Sequence, residues 1–487
     1  MENKKIFISK FLILFAFVLF GLVIIYTNTN GIIKFPNNLN KMLISKISKT
    51  YNINNAIRNE GPIQLSMQMN NNYYYHDAEK DEIYLYLDLE ADKIDVERER
   101  SPLNIALVID KSGSMSDYNK LDYVKESVNY MIDELEMRDY VSLVTYNDYV
   151  DVLYSSSNVR RKGDLRDKVS KITSGGYTNL SGGMLEGFDQ VEYSFARGYV
   201  NRVFLLSDGI ANRGITDIYR LQQIVKDKNW KDGIIISTFG VGNDFNEDLM
   251  SNVAEYGRGN YYFIDSPRDI SKIFAQELRG IRSLAGQNTK VEVTFPENYM
   301  KLLKVFGFPY EVVGDKIVID FKDVFSGEKK SVLLKFKVTS PLYKYVNFHA
   351  ELIYEDVMND FKRIRDHQYS TLELTNNKSD YLESFNSEVL QNIALFEANE
   401  MMEQAIRYAD DGNYDEARKQ LKLSKEYMDD QKESVGSNAD MDRQYESMEK
   451  YDENLDGAEY KTEEERANMQ KSGKYDNYKS KKKKDDD

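Results

Sequence analysis

Cysteine is missing from all 487 residues. Its absence removes disulfide scaffolds, thiolate zinc sites, iron–sulfur clusters, cysteine nucleophiles and cysteine-linked lipid anchors together. Histidine is nearly missing too: His76, His349 and His367 are scattered along the chain, which leaves little material for a histidine-rich metal site or a Ser-His-Asp triad. Positive charge is short, with 65 Lys+Arg against 80 Asp+Glu and a formal net charge of −15. Affinity for a phosphate backbone comes from clustered positive charge, so nucleic acid is not an expected partner. These gaps lean away from hydrolase chemistry. The length, at about 150 residues per domain, leaves room for roughly three units once targeting segments and tails are set aside.

Long apolar runs are also lacking, except for one from Phe11 to Tyr26 that follows Lys4, Lys5 and Lys10. It ends in Ile24, Ile25 and Tyr26 with no small-residue cleavage site of the A-x-A kind. A spanning helix needs about 20 apolar residues. Ile6, Phe7 and Ile8 supply the missing turn if Lys10 snorkels to the headgroups. The expectation is an uncleaved signal anchor over residues 1–30, with a cleaved signal peptide as the alternative. Lysines ahead of the helix keep the N-terminus inside, so both readings place the body outside the cytoplasm, in a periplasm or at the cell surface.

Leu103 to Ile109 is a nearly continuous apolar stretch, the pattern of a strand covered on both faces of a parallel sheet. Helical spacing follows in Leu121, Val124, Val128, Met131, Ile132 and Leu135, and then a strand from Val141 to Tyr146. Further strands at Val203 to Leu206, Ile234 to Phe239 and Tyr261 to Ile264 alternate with helices around Ile218 to Val225, Phe245 to Ala254 and Asp269 to Ile281. This alternation predicts an α/β fold, a doubly wound, mostly parallel sheet with helices on both faces. Ligands of such sheets sit at the carboxyl ends of the strands. Asp110, Ser112 and Ser114 follow the first strand, Asp208 follows a later one, and Thr178 lies in the glycine-bearing loop Gly175 to Asn179 between them. Hydroxyl and carboxylate oxygens are hard ligands suited to Mg²⁺, Mn²⁺ or Ca²⁺. Taken alone, D-x-S-x-S reads more readily as a turn or helix cap; the ordered set on successive loops carries the weight.

In this combination the chain resembles the von Willebrand factor type A domain family with its metal-ion-dependent adhesion site. The resemblance rests on LVIDKSGSM, GGYTNLSGG and LLSDGIANRGITD, with TFGVGNDFN and GRGNYYFID similar to the family's closing strands. It implies a domain over 101–284 in which Ser112, Ser114 and Thr178 contact a divalent ion directly, while Asp110 and Asp208 act largely through water. It also implies an open coordination position for a carboxylate from a partner protein. Mg²⁺ is the expected ion, with Mn²⁺ or Ca²⁺ as alternatives.

Alternating strand-like stretches flank this domain: Ile63 to Met69 and Ile83 to Leu89 before it, and Val291 to Phe295, Ile317 to Phe321, Val332 to Val338, Val346 to Ile353 and Tyr369 to Leu374 after it. They predict one β-sandwich built from residues 60–100 and 285–375 with the α/β domain inserted, after a linker over 31–59; two separate β-units are the alternative. Helical spacing from Val389 to Tyr408, a turn at Asp410 to Tyr414 and the run Ala417, Leu421, Leu423 predict a tetratricopeptide-like helical hairpin over 380–428. A lone hairpin cannot bury its own apolar face, so it is expected to pack on the sandwich or on another subunit. Residues 429–487, rich in charge and ending in Lys481 to Lys484 and Asp485 to Asp487, read as a disordered tail.

The expected function is a membrane-anchored, non-enzymatic module that engages a protein partner's Asp or Glu through the metal. Two other classes remain. One is an assembly or chaperone cofactor, as similar domains are with AAA+ ATPases. The other is a metal-assisted hydrolase, which needs a general base that the sequence does not place beside the motif. Export makes a direct prediction: protease added to intact cells, after permeabilising any outer membrane, digests the body. Full protection of a body that is digestible after lysis would contradict export.

Overall fold

The computed structural model describes residues 61–75, 82–93, 101–196, 198–208, 211–242, 245–264, 266, 269–340, 344–359 and 361–482. The expected anchor and linker lie outside the described residues, and among those described no helix is long and apolar enough to cross a membrane.

Strands β1 (Ile63–Met69), β2 (Tyr73–Tyr75) and β3 (Glu82–Ala91) come first. The α/β layer follows: β4 (Leu103–Asp110), a 3₁₀ turn at Gly113–Asn119, α1 (Lys120–Glu134), β5 (Tyr140–Tyr146), β6 (Val150–Asn158), α2 (Lys162–Ser170), α3 (Leu180–Tyr193), β7 (Val200–Ser207), α4 (Ile218–Asp232), β8 (Ile235–Val241), α5 (Glu247–Tyr256), β9 (Arg258–Ile264) and α6 (Ile270–Arg282). Their sheet runs in the order β6-β5-β4-β7-β8-β9. All neighbouring pairs are parallel except β5 with β6.

Every residue of β4 is buried, and its period-two alternation divides them between two cores. Leu103, Ile105, Leu107 and Ile109 join one cluster with residues of α1, α2 and α6, whereas Ala106 and Val108 join the other with residues of α3, α4 and α5. Glycine sets how closely α3 approaches the sheet: a Cβ at Gly187 would lie 2.5 Å from Val108 Cγ2. The winding reverses between β4 and β7, so this is the switch point at which a doubly wound sheet opens a crevice.

After α6 the chain returns to strands: β10 (Leu284–Thr294), β11 (Met300–Phe306), β12 (Tyr310–Val313), β13 (Lys316–Phe325), β14 (Lys329–Val338), β15 (Tyr345–Asp356) and β16 (Lys362–Thr375). They form two sheets, β1-β3-β14-β11 and β12-β13-β10-β15-β16-β2. One apolar core holds both together, with Leu85, Leu87 and Leu89 from the first and Val291, Phe321, Phe348 and Leu352 from the second. β3 lies between β1 and β14, and β2 runs parallel to the end of β16. Each sheet therefore takes strands from both sides of the α/β domain, which is an insertion in the sandwich. The buried ion pair of Arg202 on β7 with Asp323 on β13 joins the two bodies.

Helices α7 (Lys378–Glu383), α8 (Ser387–Asp410), α9 (Tyr414–Val435), α10 (Ala439–Leu455) and α11 (Glu463–Lys482) complete the chain. The α8–α9 hairpin turns at Gly412, where φ is +73°. Val389, Ile393 and Phe396 of α8 pack on Tyr84, Tyr86, Phe306 and Leu333 of the sandwich. The reading of residues 429–487 as a disordered tail is corrected here, because residues 439–455 and 463–482 are helical. Met441, Gln444, Met448, Tyr451 and Leu455 are buried at alternating three- and four-residue steps. This narrow apolar stripe is hidden in a charged composition and packs on α8 and α9. From α11, Lys471 and Lys474 reach Glu247 at 2.7 and 2.9 Å, Lys474 reaches Asp410 at 2.7 Å, and Tyr475 and Tyr478 pack on Tyr261. Residues 483–487 are outside the described set.

Truncating Met448, which is fully buried in this cluster, to alanine should cost about 2–5 kcal/mol locally. Limited proteolysis between α9 and α10 reads it: faster cleavage of Met448→Ala than of the parent is expected, and equal resistance would refute packing of α10.

Candidate metal site

Asp110 ends β4 and is buried. Its Oδ1 accepts the Ser112 N–H at 2.8 Å, closing a tight turn, and its Oδ2 accepts the Ser207 hydroxyl at 2.8 Å. The turn brings Ser112 Oγ within 3.3 Å of Ser114 Oγ. Ser114 then donates to Asp208 Oδ1 at 2.9 Å, across from β4 to the end of β7. Asp208 is also fully buried, and its Oδ2 accepts from Lys120 Nζ at 2.7 Å. Four of the five sequence-predicted residues thus share one hydrogen-bonded cluster at the switch point.

Thr178 reaches the same place through its loop. Gly175 N–H donates to Lys111 O at 2.8 Å, and Gly113 N–H donates to Gly176 O at 3.0 Å, which lashes the threonine loop to the D-x-S-x-S turn. Gly176 has φ +86°, and a Cβ there would lie 2.3 Å from Asp148 Oδ2, so glycine is required. Thr178 is buried, and its N–H donates to Asn212 Oδ1 at 3.0 Å. The structure gives no direct contact from its hydroxyl to the other four residues.

Several residues were not picked out by the sequence reading. Ser207 could have been, since it precedes Asp208 at a strand end. Asn212 and Tyr146 had weaker signals; the Tyr146 hydroxyl donates to Leu206 O at 2.8 Å under the site. Lys120 had none, because a lysine opening a helix ordinarily reads as solvated.

Burial pushes the Asp110 carboxyl up to about 6, with the charge of Asp208 adding to the shift and the hydrogen bonds from Ser112 and Ser207 opposing it. Two buried carboxylates with hydroxyls between them fit a hard cation, and the donor set is all oxygen. Among the described residues no three His, Cys, Asp or Glu side chains converge at any point, this one included, so the serine and threonine hydroxyls must complete the donor set. The residues present therefore fit a divalent ion that keeps part of its water shell.

A doubly wound sheet with hydroxyl and carboxylate side chains gathered at its switch point defines the class, an α/β domain set in a β-sandwich. Residues 104–276 match the family model of the von Willebrand factor type A domain, so the inserted body of this chain is such a domain. The Escherichia coli protein YfbK is 29% identical over 206 residues, 42% of this chain and 36% of that protein, so the chain spans about a third of that relative's length. Among solved structures, a von Willebrand factor type A protein from Catenulispora acidiphila has a TM-score of 0.63 at 14% identity, covering 82% of this chain and 90% of that one. The ArnB paralog VWA2 from Sulfolobus acidocaldarius has a TM-score of 0.59 at 14% identity, covering 85% and 98%. The shared fold extends beyond the inserted domain. Domains of this family commonly mediate protein–protein interaction or adhesion and are mostly non-enzymatic.

A raised carboxyl stabilises the folded, metal-free chain below its unfolded value near 4, and this contribution is lost as pH rises through about 6. Asp110→Asn should therefore melt higher than the parent in EDTA at pH 7.5, by about 1–3 kcal/mol, with the difference fading below about pH 4. Thermal melts across that range test it; a variant less stable at pH 7.5 would show that the charge is fully compensated.

Proposed function

We propose that this chain binds a partner protein through a divalent ion held by Ser112, Ser114 and Thr178 with Asp110 and Asp208 in support, on the outside of a membrane to which its N-terminus anchors it. The observation that carries the reading is the joining of two buried carboxylates by two serine hydroxyls at the open ends of β4 and β7. Mg²⁺ suits the site best, since a small ion with few protein ligands retains water; Mn²⁺ and Ca²⁺ are the alternatives. A bound ion supplies a positive charge and an open position that an Asp or Glu of the partner fills. The chain's own part is to hold the hydroxyls in place, through the Asp110–Ser112 turn and the two backbone bonds from the threonine loop.

The surroundings of the site support a protein ligand. Tyr118, Tyr149 and Tyr177 are 79%, 77% and 56% exposed on three loops at this end of the sheet. Exposed tyrosines give large contact area at little entropic cost, and aromatic residues are enriched where proteins meet. Tyr118 stands at φ +53° and Asn119 at φ +60°. That conformation is uncommon for a bulky residue, and such strain gathers at functional loops.

Crosslinking on intact cells tests the proposal. Capture of a partner should disappear with EDTA and with Thr178→Ala, and return on adding Mg²⁺ to the parent alone; in calorimetry, Asp110→Ala and Asp208→Ala should lose Mn²⁺ binding. Capture undiminished by EDTA would place the interface elsewhere.

A further inference from the structure

Lys120 opens α1, yet its side chain is only 4% exposed beside an Asp208 that is fully buried. The N-terminal end of a helix carries partial positive charge, so a buried ammonium there is doubly disfavoured unless an anion holds it. Asp208 Oδ2 at 2.7 Å is such an anion. The surrounding backbone is shaped to the lysine as well. Gly242 follows β8 with φ +75°, and a Cβ there would lie 3.2 Å from Lys120 Cε and 3.4 Å from Nζ. Gly242 therefore packs directly against the lysine.

We propose that Lys120 is a built-in counter-cation that sets the metal affinity of the site, holding Asp208 in place when no ion is bound and repelling the ion when one is. This inference rests on the metal-binding reading above. Among the described residues, the ammonium beside Asp208 makes the site one unit of charge more positive than Asp110 and Asp208 alone would leave it, with or without a divalent ion. The ion then binds more weakly than the two carboxylates alone would hold it. The loaded site is also more positive by that one charge, which favours an incoming carboxylate. By linkage, an anionic partner and the metal each strengthen binding of the other. Lys120 is thus a positioning residue that acts through Asp208, and it turns a static metal site into one that retains its ion best when a partner is present.

The test uses the full chain at fixed pH and ionic strength, with Mn²⁺ as the probe followed by calorimetry and by its paramagnetic resonance signal. Lys120→Met, which removes the charge and keeps the length, should bind Mn²⁺ at least tenfold more tightly than the parent. It should also melt lower in EDTA, because a buried carboxylate loses its cationic partner, and recover on adding Mg²⁺. Lys120→Arg keeps the charge and should bind Mn²⁺ within about threefold of the parent. Equal or weaker Mn²⁺ binding by Lys120→Met, or an equal gain in Lys120→Arg, would overturn the proposal and leave the metal-site reading intact. No Mn²⁺ binding by the parent would overturn both. If the methionine variant does not fold, Lys120→Gln takes its place with the same expected direction. Failure of both neutral variants to fold even in saturating Mg²⁺ would overturn the affinity role and leave a purely structural ion pair.

Discussion

Two carboxylates removed from water at the ends of neighbouring strands are the constraint around which this domain is arranged. Asp110 and Asp208 are both fully buried, and like charges in a low dielectric repel strongly. The local structure offsets that repulsion. A backbone N–H and a serine hydroxyl reach Asp110, while a serine hydroxyl and an ammonium reach Asp208. The loops that bring these donors are fastened to one another by main-chain bonds at Gly113 and Gly175. The steric demand falls on Gly176, which accepts the bond from Gly113: its φ is +86° and a Cβ there would meet Asp148.

That arrangement needs a stiff support, and the sheet provides it. β4 and β7 pair in parallel along almost their whole length, so the ends that carry Asp110 and Ser207 are held side by side by the ladder beneath them. Apolar cores on both faces leave the strands no freedom to slide. Away from the site, the domain is held to the sandwich by the Arg202–Asp323 pair and by Arg258 with Asp320. Lys322 at φ +67° donates to the carbonyl oxygen of Ala254 at 3.3 Å. Charged contacts of this kind fix orientation more than they add stability.

Most of this was legible in the residues, and the secondary-structure elements that were missed share a cause. The run Leu103 to Ile109 announced a strand buried on both faces, and the alternation after it announced the winding; Asp110, Ser112, Ser114 and Asp208 then followed from where strands end, and Thr178 from the resemblance of its glycine-bearing loop. The sandwich was readable because Ile63 to Met69 and Ile83 to Leu89 are too few strands to stand alone. What escaped were elements whose apolar pattern is thin. β6 ends in three serines and an asparagine at the sheet's edge, and β12 is a short edge strand with little burial. α10 shows only a narrow stripe of methionine, tyrosine and leucine among acidic residues. Its partners, α8 and α9, lie next to it in sequence, but their fit emerges only once all three are helices. Lys120 escaped for a different reason: no local pattern distinguishes a lysine that folds inward onto a carboxylate 88 positions away.

The insertion has a mechanical consequence. The inserted body leaves the sandwich after β3 and re-enters it at β10, and those two strands belong to different sheets of the same sandwich. A pull applied at the carboxyl ends of β4 and β7 is therefore carried down two covalent tethers in parallel, each ending in a strand that is paired on both sides. Dislodging either tether requires shearing two ladders at once, whereas a domain hung on a single linker concentrates the whole load on one. The architecture is that of a load-sharing mount, in which the inserted body and the sandwich that carries it are joined by two covalent links.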